Sequence, residues 1–451
     1  MKTFRKATPI HCDADALRAW HFRDGAFDRL LPPWERAEII EAPASLAGGD
    51  RAIIDTKIGP ITQRWIAEHE LTDEGFVDRQ AAGPFAEWTH HHRFLDHGER
   101  SELVDDISYR LPFGKPGEWF GGWMVRSKLE RMFRYRHEVT RLDLERAAQS
   151  PTPTGQHILV SGATGLVGTA LCGYLRSQGQ VVHRITRTPR EAGDISWDPE
   201  NGSLHLPDDC RPDAVIHLAG ENIGARWTAE RRKAILDSRI KGTSLLAETL
   251  ANHRHRPHVL ISLSGVSCYP ATGEPCDETS EFGDGFLSEV VRQWEEAADP
   301  ARDAGIRVVH PRLAPVLTPA GGALAKLLPL FQLCLGGRLG SGQQHFPWIA
   351  MDDVVDLLHR AIFEDRWEGA INFVAPDCPT QSEFASVLGA VLRRPAIMPT
   401  PTVALQAVFG QMARETLLAD VQPIPRRLVD EGYQFRYPDA KSALAHLLGR
   451  R

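Results

Sequence analysis

Residues 157–168 read HILVSGATGLVG, an apolar strand-forming run that enters a turn with glycine at 162, 165 and 168. Few folds accept that order. The first glycine permits a tight turn, the second lets backbone approach a phosphate, and the third lets the following helix lie close against the strand. Val167, Leu171 and Leu175 then fall on one helical face, and Gly179 supplies the stop. A helix that begins this way offers unpaired N–H groups and the positive end of its dipole to a pyrophosphate. The spacing therefore predicts a nucleotide-binding strand–turn–helix unit.

The rhythm after the turn agrees with it. Strands VVHRIT, DAVIHLAG, HVLISLSG and RVVHPRL alternate with helices expected over 228–252 and 286–304. Near-continuous apolar strands between amphipathic helices imply a parallel sheet covered on both faces, an α/β fold of the Rossmann-type doubly wound kind. Further on, Thr380 and Glu383 form a capping box ahead of Phe384, Val387, Leu388, Val391 and Leu392. A Pro-punctuated, mostly helical tail closes the chain.

The residues in front of the turn follow another pattern. Runs at 51–58, 61–71, 75–80, 87–98 and 101–111 read as successive antiparallel strands, and a helix is expected over 118–137. The stretch AQSPTPTGQH, 148–157, separates the two patterns with two prolines and a glycine. The expected division is 1–146, a linker over 147–156, a nucleotide-binding domain over 157–394 and a small helical domain over 395–451.

Charge narrows the partners. A formal net charge of -7 without long single-sign runs points away from nucleic acid and anionic membranes and toward small molecules. No stretch approaches the roughly 18 apolar residues of a membrane span. The cysteines, seven in number and never spaced C-x-x-C, fit reduced thiols in a cytoplasmic protein.

Cofactor choice turns on the end of the second strand. A carboxylate there would bond the ribose 2'-hydroxyl of NAD, but VVHRIT ends in Arg187, with Arg184 and Arg190 nearby. A guanidinium in that place suits a 2'-phosphate, so NADP is expected.

GATGLVG, DAVIHLAGEN (213–222), RWTAERRKAILDSRIKGT (226–243), the 321–353 segment ending WIAMDD and the tail PRRLVDEGYQFRYPD occur in one order. Together they resemble the atypical extended short-chain dehydrogenase/reductases of the nucleotide-sugar epimerase-like family, over about 157–449, including that family's C-terminal domain of unknown function. The resemblance implies cofactor contacts from Gly162, Thr164, Gly165, Leu166, Val167 and Gly168, and from Leu218, Ala219, Gly220, Glu221 and Asn222. AFDRLLPPWE (26–35) and GPFAEWTHHH (83–92) resemble a START-like, polyketide-cyclase-type (SRPBCC) domain. That second resemblance implies an α+β helix-grip fold, a sheet wrapped on a long helix around a cavity for an apolar ligand.

The family's usual Tyr-x-x-x-Lys catalyst is missing. Leu287 and Val291 stand at its two positions, Ala350 replaces the histidine of W-I-H-I-D-D, and Arg312-Leu313-Ala314 replaces R-T-G. Tyr437 and Lys441 have the right spacing but lie in the tail, where chance explains them. Ser264 and Tyr269, just past the fifth strand, are the candidate catalytic pair, with Tyr269 readable either as a general acid or as a packing residue. His90 and His92 share a strand face, yet no third ligand is apparent and no metal is assigned. An NADP(H)-dependent oxidoreductase or epimerase-like enzyme is therefore expected, with a non-enzymatic NADP(H)-binding regulator as the alternative. A third reading has the N-terminal domain present an apolar ligand.

Overall fold

The computed structural model describes residues 1–35, 37–41, 50–58, 61–112, 114–190 and 193–450. They fall into two units, one made mainly of Met1–Thr154, the other of Gly155–Leu175 and the chain from Gln180 on.

In the first unit, β1 (Lys2–Ile10) is followed by α1 (Ala14–Phe22) and α2 (Ala26–Arg29). Then come β2 (Ala37–Glu41), β3 (Arg51–Ile58), β4 (Ile61–Thr72), β5 (Gly75–Ala82), β6 (Glu87–Asp96) and β7 (Ser101–Arg110). They form one antiparallel sheet in the order β1-β7-β6-β5-β4-β3-β2. A 36-residue helix, α3 (Gly114–Gln149), packs on β1 and β7. The five strands read from sequence stand at closely similar bounds. β1 did not stand out, because its buried apolar residues are only Phe4 and Ile10 among Lys, Arg and Thr.

The long helix outruns its expected end at 137. Its buried stripe is Leu129, Phe133, His137, Thr140 and Leu144, one residue every three or four positions. Two polar members disguise the stripe in sequence. The helix consequently absorbs 147–149, the beginning of the expected linker.

In the second unit, alternation distributes each strand between two helix layers. Its elements begin with β8 (His157–Ser161), α4 (Leu166–Ser177), β9 (Val181–Thr186), β10 (Ile195–Asp198) and β11 (Ser203–Leu204). They continue with β12 (Ala214–His217), α5 (Ala229–Asn252), β13 (Val259–Ser262), β14 (Ser264–Gly265) and α6 (Phe286–Glu296). The main sheet runs β11-β10-β9-β8-β12-β13, then strand Arg307–Leu313, which also pairs with β14 and with strand Gly369–Phe373. Every pairing is parallel except β10 with β11. Ile158, Val160, Ala214, Ile216, Val259 and Ile261 join the cluster holding Leu171 and Leu175 of α4. Leu159, Val215 and Leu260 join the opposite cluster, with Leu246 and Leu250 of α5. Burying a leucine this way contributes roughly 1.5–3 kcal/mol.

The helix expected over 286–304 is broken. α6 ends at Glu296, and a second helix, Asp299–Asp303, begins with Pro300 in its first turn. Proline lacks the N–H that a continuing helix would use. The tail belongs to the second unit as helices Thr402–Phe409, Arg426–Asp430 and Ala440–Leu447, the last of them packed on the capped helix Gln381–Leu392. Among the described residues, no helix is long and apolar enough to cross a membrane.

Candidate functional site

The strand order reverses between β8 and β12, where open α/β sheets leave a crevice beyond their C-terminal edge. The glycine turn sits there. Gly162 has φ +67°, and a Cβ on it would lie 2.8 Å from the Ala219 nitrogen, so only glycine lets the turn meet the end of β12. A Cβ on Gly168 would overlap the Gly162 carbonyl, which is the close helix-on-strand contact the spacing predicted. Gly165 donates its N–H to Gly162 O at 2.9 Å and closes the turn.

Two buried side chains tie the strand ends that frame the crevice. Ser161 Oγ and His217 Nδ1 share a 2.6 Å hydrogen bond, and Leu218 N–H donates to Ser161 Oγ at 3.3 Å. Burial, helped by the nearby Arg239 charge, pushes His217 down to about 4, so the ring is neutral near pH 7. Thr164, Gly165 and Leu166 are exposed at the helix start, Val167 is half-buried and Gly168 is buried.

The arginines after β9 are not equivalent. Arg184 grips Asp194 through two bonds, Nε to Oδ1 at 2.9 Å and Nη2 to Oδ2 at 2.7 Å. Asp194 also accepts the Arg190 N–H at 2.8 Å. The Asp194 carboxylate is thus paired with Arg184, while the Arg187 side chain stands exposed, with Asp198 near enough for its charge to be felt.

Across the crevice, Leu218 and Ala219 are half-buried and Gly220 is exposed. Glu221 pairs with Arg231 of α5 at 2.8 Å and receives an Arg239 bond on its carbonyl at 3.1 Å. Asn222 accepts the Gly224 N–H at 2.7 Å. Both side chains brace the loop against α5 or against itself.

Ser264 and Tyr269 belong to one buried network, which sequence did not foresee. Ser264 Oγ donates to Glu295 Oε1 at 2.6 Å, and Arg312 donates through Nε and Nη2 to the same carboxylate at 2.9 and 3.0 Å. Arg312 Nη1 donates to the Tyr269 hydroxyl at 3.0 Å, and that hydroxyl donates to Asn372 Oδ1 at 2.7 Å. Tyr269 is 3 % exposed, and burial, against the Arg312 charge, pushes its phenol up. The Tyr269 proton is engaged by Asn372 and its ring lies in the core. Glu295 is the opposite case. Burial raises it, but the Arg312 bonds and charge outweigh burial and hold it below the usual carboxylate range.

The positions of the absent catalyst are apolar and buried, Leu287 at 5 % and Val291 at 4 % exposed. Tyr437 stacks on His446, and its N–H donates to Asp353 Oδ2 at 3.3 Å. In the first unit, His90 and His92 do share a face, and the partners missing from the sequence reading are Asp78 and Asp105 on the neighbouring strands.

Comparison with known proteins adds relatives to this geometry. Residues 158–372 match the NAD dependent epimerase/dehydratase family, and 400–447 match a domain of unknown function, DUF1731. The human epimerase family protein SDR39U1 is 39 % identical over 296 residues, which span 64 % of this chain and 99 % of that protein. The Mycobacterium tuberculosis epimerase family protein MT2273 is 36 % identical, over 65 % of this chain and 98 % of its own length. Among solved structures, the nucleoside-diphosphate sugar epimerase from Corynebacterium glutamicum superposes with a TM-score of 0.81 at 31 % identity, covering 99 % of this chain and 90 % of that one. Human SDR39U1 isoform 2, solved with NADPH, gives a TM-score of 0.60 at 39 % identity over 65 % of this chain and 99 % of its own.

Proposed function

The chain belongs to the NAD dependent epimerase/dehydratase family, and from that membership we propose that it is an NADP(H)-dependent oxidoreductase or epimerase-like enzyme acting on a small molecule. The observation that carries this reading is the glycine turn at the strand switch, with Thr164, Gly165 and Leu166 exposed and Arg187 standing clear of the Arg184–Asp194 pair. The turn from Gly162 through Val167 to Gly168 would hold the pyrophosphate, and Arg187 the 2'-phosphate. Leu218, Ala219 and Gly220 would border the cofactor from β12, with Glu221 and Asn222 fixing that loop. NADPH in the human relative, and the sugar-nucleotide name of the Corynebacterium relative, support the cofactor and suggest the substrate class. A bound nicotinamide would supply the hydride.

Ser264 and Tyr269 act in this proposal as positioning residues, holding the strand ends through Glu295 and Arg312. Their engagement, together with apolar Leu287 and Val291, also favours the second reading, a regulatory NADP(H)-binding protein. The N-terminal unit is proposed as a START-like helix-grip module: an antiparallel sheet packed on one long helix supports it.

Calorimetric titration of Arg187→Ala tests the cofactor assignment. A charge-assisted bond contributes about 1.5–3 kcal/mol, so NADPH should weaken roughly ten- to hundredfold and NADH hardly at all. Equal losses would defeat it. If no carbonyl compound or sugar nucleotide in a broad screen consumes NADPH, the regulatory reading replaces the enzymatic one.

A further inference from the structure

The interior of the N-terminal unit is not uniformly apolar. One cluster around Ile10, Trp20, Phe76 and Leu103 and another around Phe4, Trp88, Ile107 and Phe133 are accompanied by a polar group from four elements: Asp78 of β5, His90 and His92 of β6, Asp105 of β7 and His137 of α3. Strand register assembles it. Asp78 lies opposite His90, and Asp105 opposite His92, so all four strand residues share one face. His90, Asp105 and His137 are almost fully buried.

One buried and one half-buried carboxylate beside three imidazoles call for positive charge, because uncompensated charge away from water is costly. The half-buried Arg136 guanidinium of α3 supplies part of it, acting on both Asp105 and Asp78; for the rest, either the rings take up protons or a divalent cation sits among them. Three features favour the cation. Asp78 faces both histidines at ligand-to-ligand separations: Oδ1 is 3.4 Å from His90 Nδ1, and Oδ2 is 3.5 Å from His92 Nε2. Ligands about 2.1 Å from a tetrahedral ion stand about 3.4 Å apart.

The second feature is the far side of each ring. Asp105 Oδ1 contacts His90 Nε2 at 2.7 Å and His92 Nδ1 at 2.8 Å, leaving the other nitrogen of each ring toward Asp78. A carboxylate behind a histidine is the arrangement that fixes tautomer and raises basicity in metal sites. Asp105 is itself held: its Oδ2 meets His137 Nε2 at 2.6 Å, and His137 Nδ1 meets Thr8 Oγ1 at 2.8 Å. Thirdly, Asp78 Oδ1 is buried without a hydrogen-bond partner, so its 3.4 Å approach to His90 is not satisfied as a hydrogen bond.

We propose that Asp78, His90 and His92, whose ligand atoms all lie within 4.8 Å of one another, form a Zn²⁺ site in the N-terminal unit, with Asp105 as the residue that orients both rings. Two imidazoles and one carboxylate leave a coordination position for water or an oxygen donor from a ligand. The site shares no residue with the glycine turn, so it stands or falls separately from the cofactor assignment.

The test uses the full chain without a histidine tag, stripped with a chelator and titrated with Zn²⁺ against a chromophoric competitor. One equivalent should bind tightly. Asp78→Asn, which keeps shape and removes charge at a partly exposed position, should weaken binding at least a hundredfold. Asp105→Asn should weaken it roughly ten- to hundredfold, as loss of a supporting carboxylate does. Co²⁺ replacing Zn²⁺ in the wild-type protein should give the intense visible absorption of a four-coordinate ion, a readout that needs no variant to fold. Uptake well below one equivalent overturns the site and leaves a protonated histidine–aspartate network. Undiminished uptake by folded Asp78→Asn also overturns it, because exposed histidines such as His91 would then be the ligands.

Discussion

Arg312 ties several residues into one buried network. Its guanidinium joins Glu295 and the Tyr269 hydroxyl in a buried site, and its pKa is raised, the Glu295 bonds and charges overcoming the effect of burial. Glu295→Ala would leave that cation buried without a counterion, a loss of about 3–5 kcal/mol. Tyr269→Phe removes only the hydroxyl, and stranding Asn372 Oδ1 costs about 1–3 kcal/mol. Urea denaturation should rank the two variants in that order, and both should keep NADPH affinity where they remain folded. A Tyr269→Phe protein with unaltered stability but lost turnover would instead make Tyr269 the acid.

At the scale of an element, helix Met351–Phe363 explains the tail. WIAMDD leads into its first turn, and Asp353 and Asp356 receive the tail: Arg436 N–H donates to Asp353 Oδ1 at 2.7 Å, and Tyr433 donates its hydroxyl to Asp356 Oδ2 at 2.7 Å. Burial, reinforced by the neighbouring carboxylates and opposed by Arg436, holds Asp353 up at about 7. The folded protein thus binds this proton more tightly than the unfolded chain, whose aspartates titrate near about 3.9. Its contribution to stability therefore falls as pH rises from about 4 and levels off above about 7. Asp353→Asn retains an oxygen for Arg436 N–H and removes the titration. Melting temperatures followed from pH 5 to pH 8 should decline less steeply in the variant, and parallel slopes would show that Asp353 is not the titrating group.

At the scale of the whole molecule, each unit has its own apolar clusters, and the first should fold alone. A fragment of residues 1–154 should unfold in one cooperative transition, and a fragment ending at 146 should be less stable, because it truncates α3 before Gln149. A saturable apolar probe bound by the longer fragment would support a ligand cavity; a disordered fragment would refute independent folding. The amino-acid sequence by itself determined the strand–turn–helix at 157–168, the parallel order after it, the antiparallel strands before it and the capped helix at Thr380, because each depends on residues adjacent in the chain or one helical turn apart. The partners of Tyr269 and Asp78 were set only in three dimensions. Tyr269 finds Arg312 43 positions away and Asn372 103 away. Asp78 meets His90 and His92 because β5 and β6 pair in one register, and a slip of one residue would turn it to the other face of the sheet. Hydrogen-bond partners and metal ligands are selected by distance through space, which strand pairing sets and the spacing within a single segment does not record.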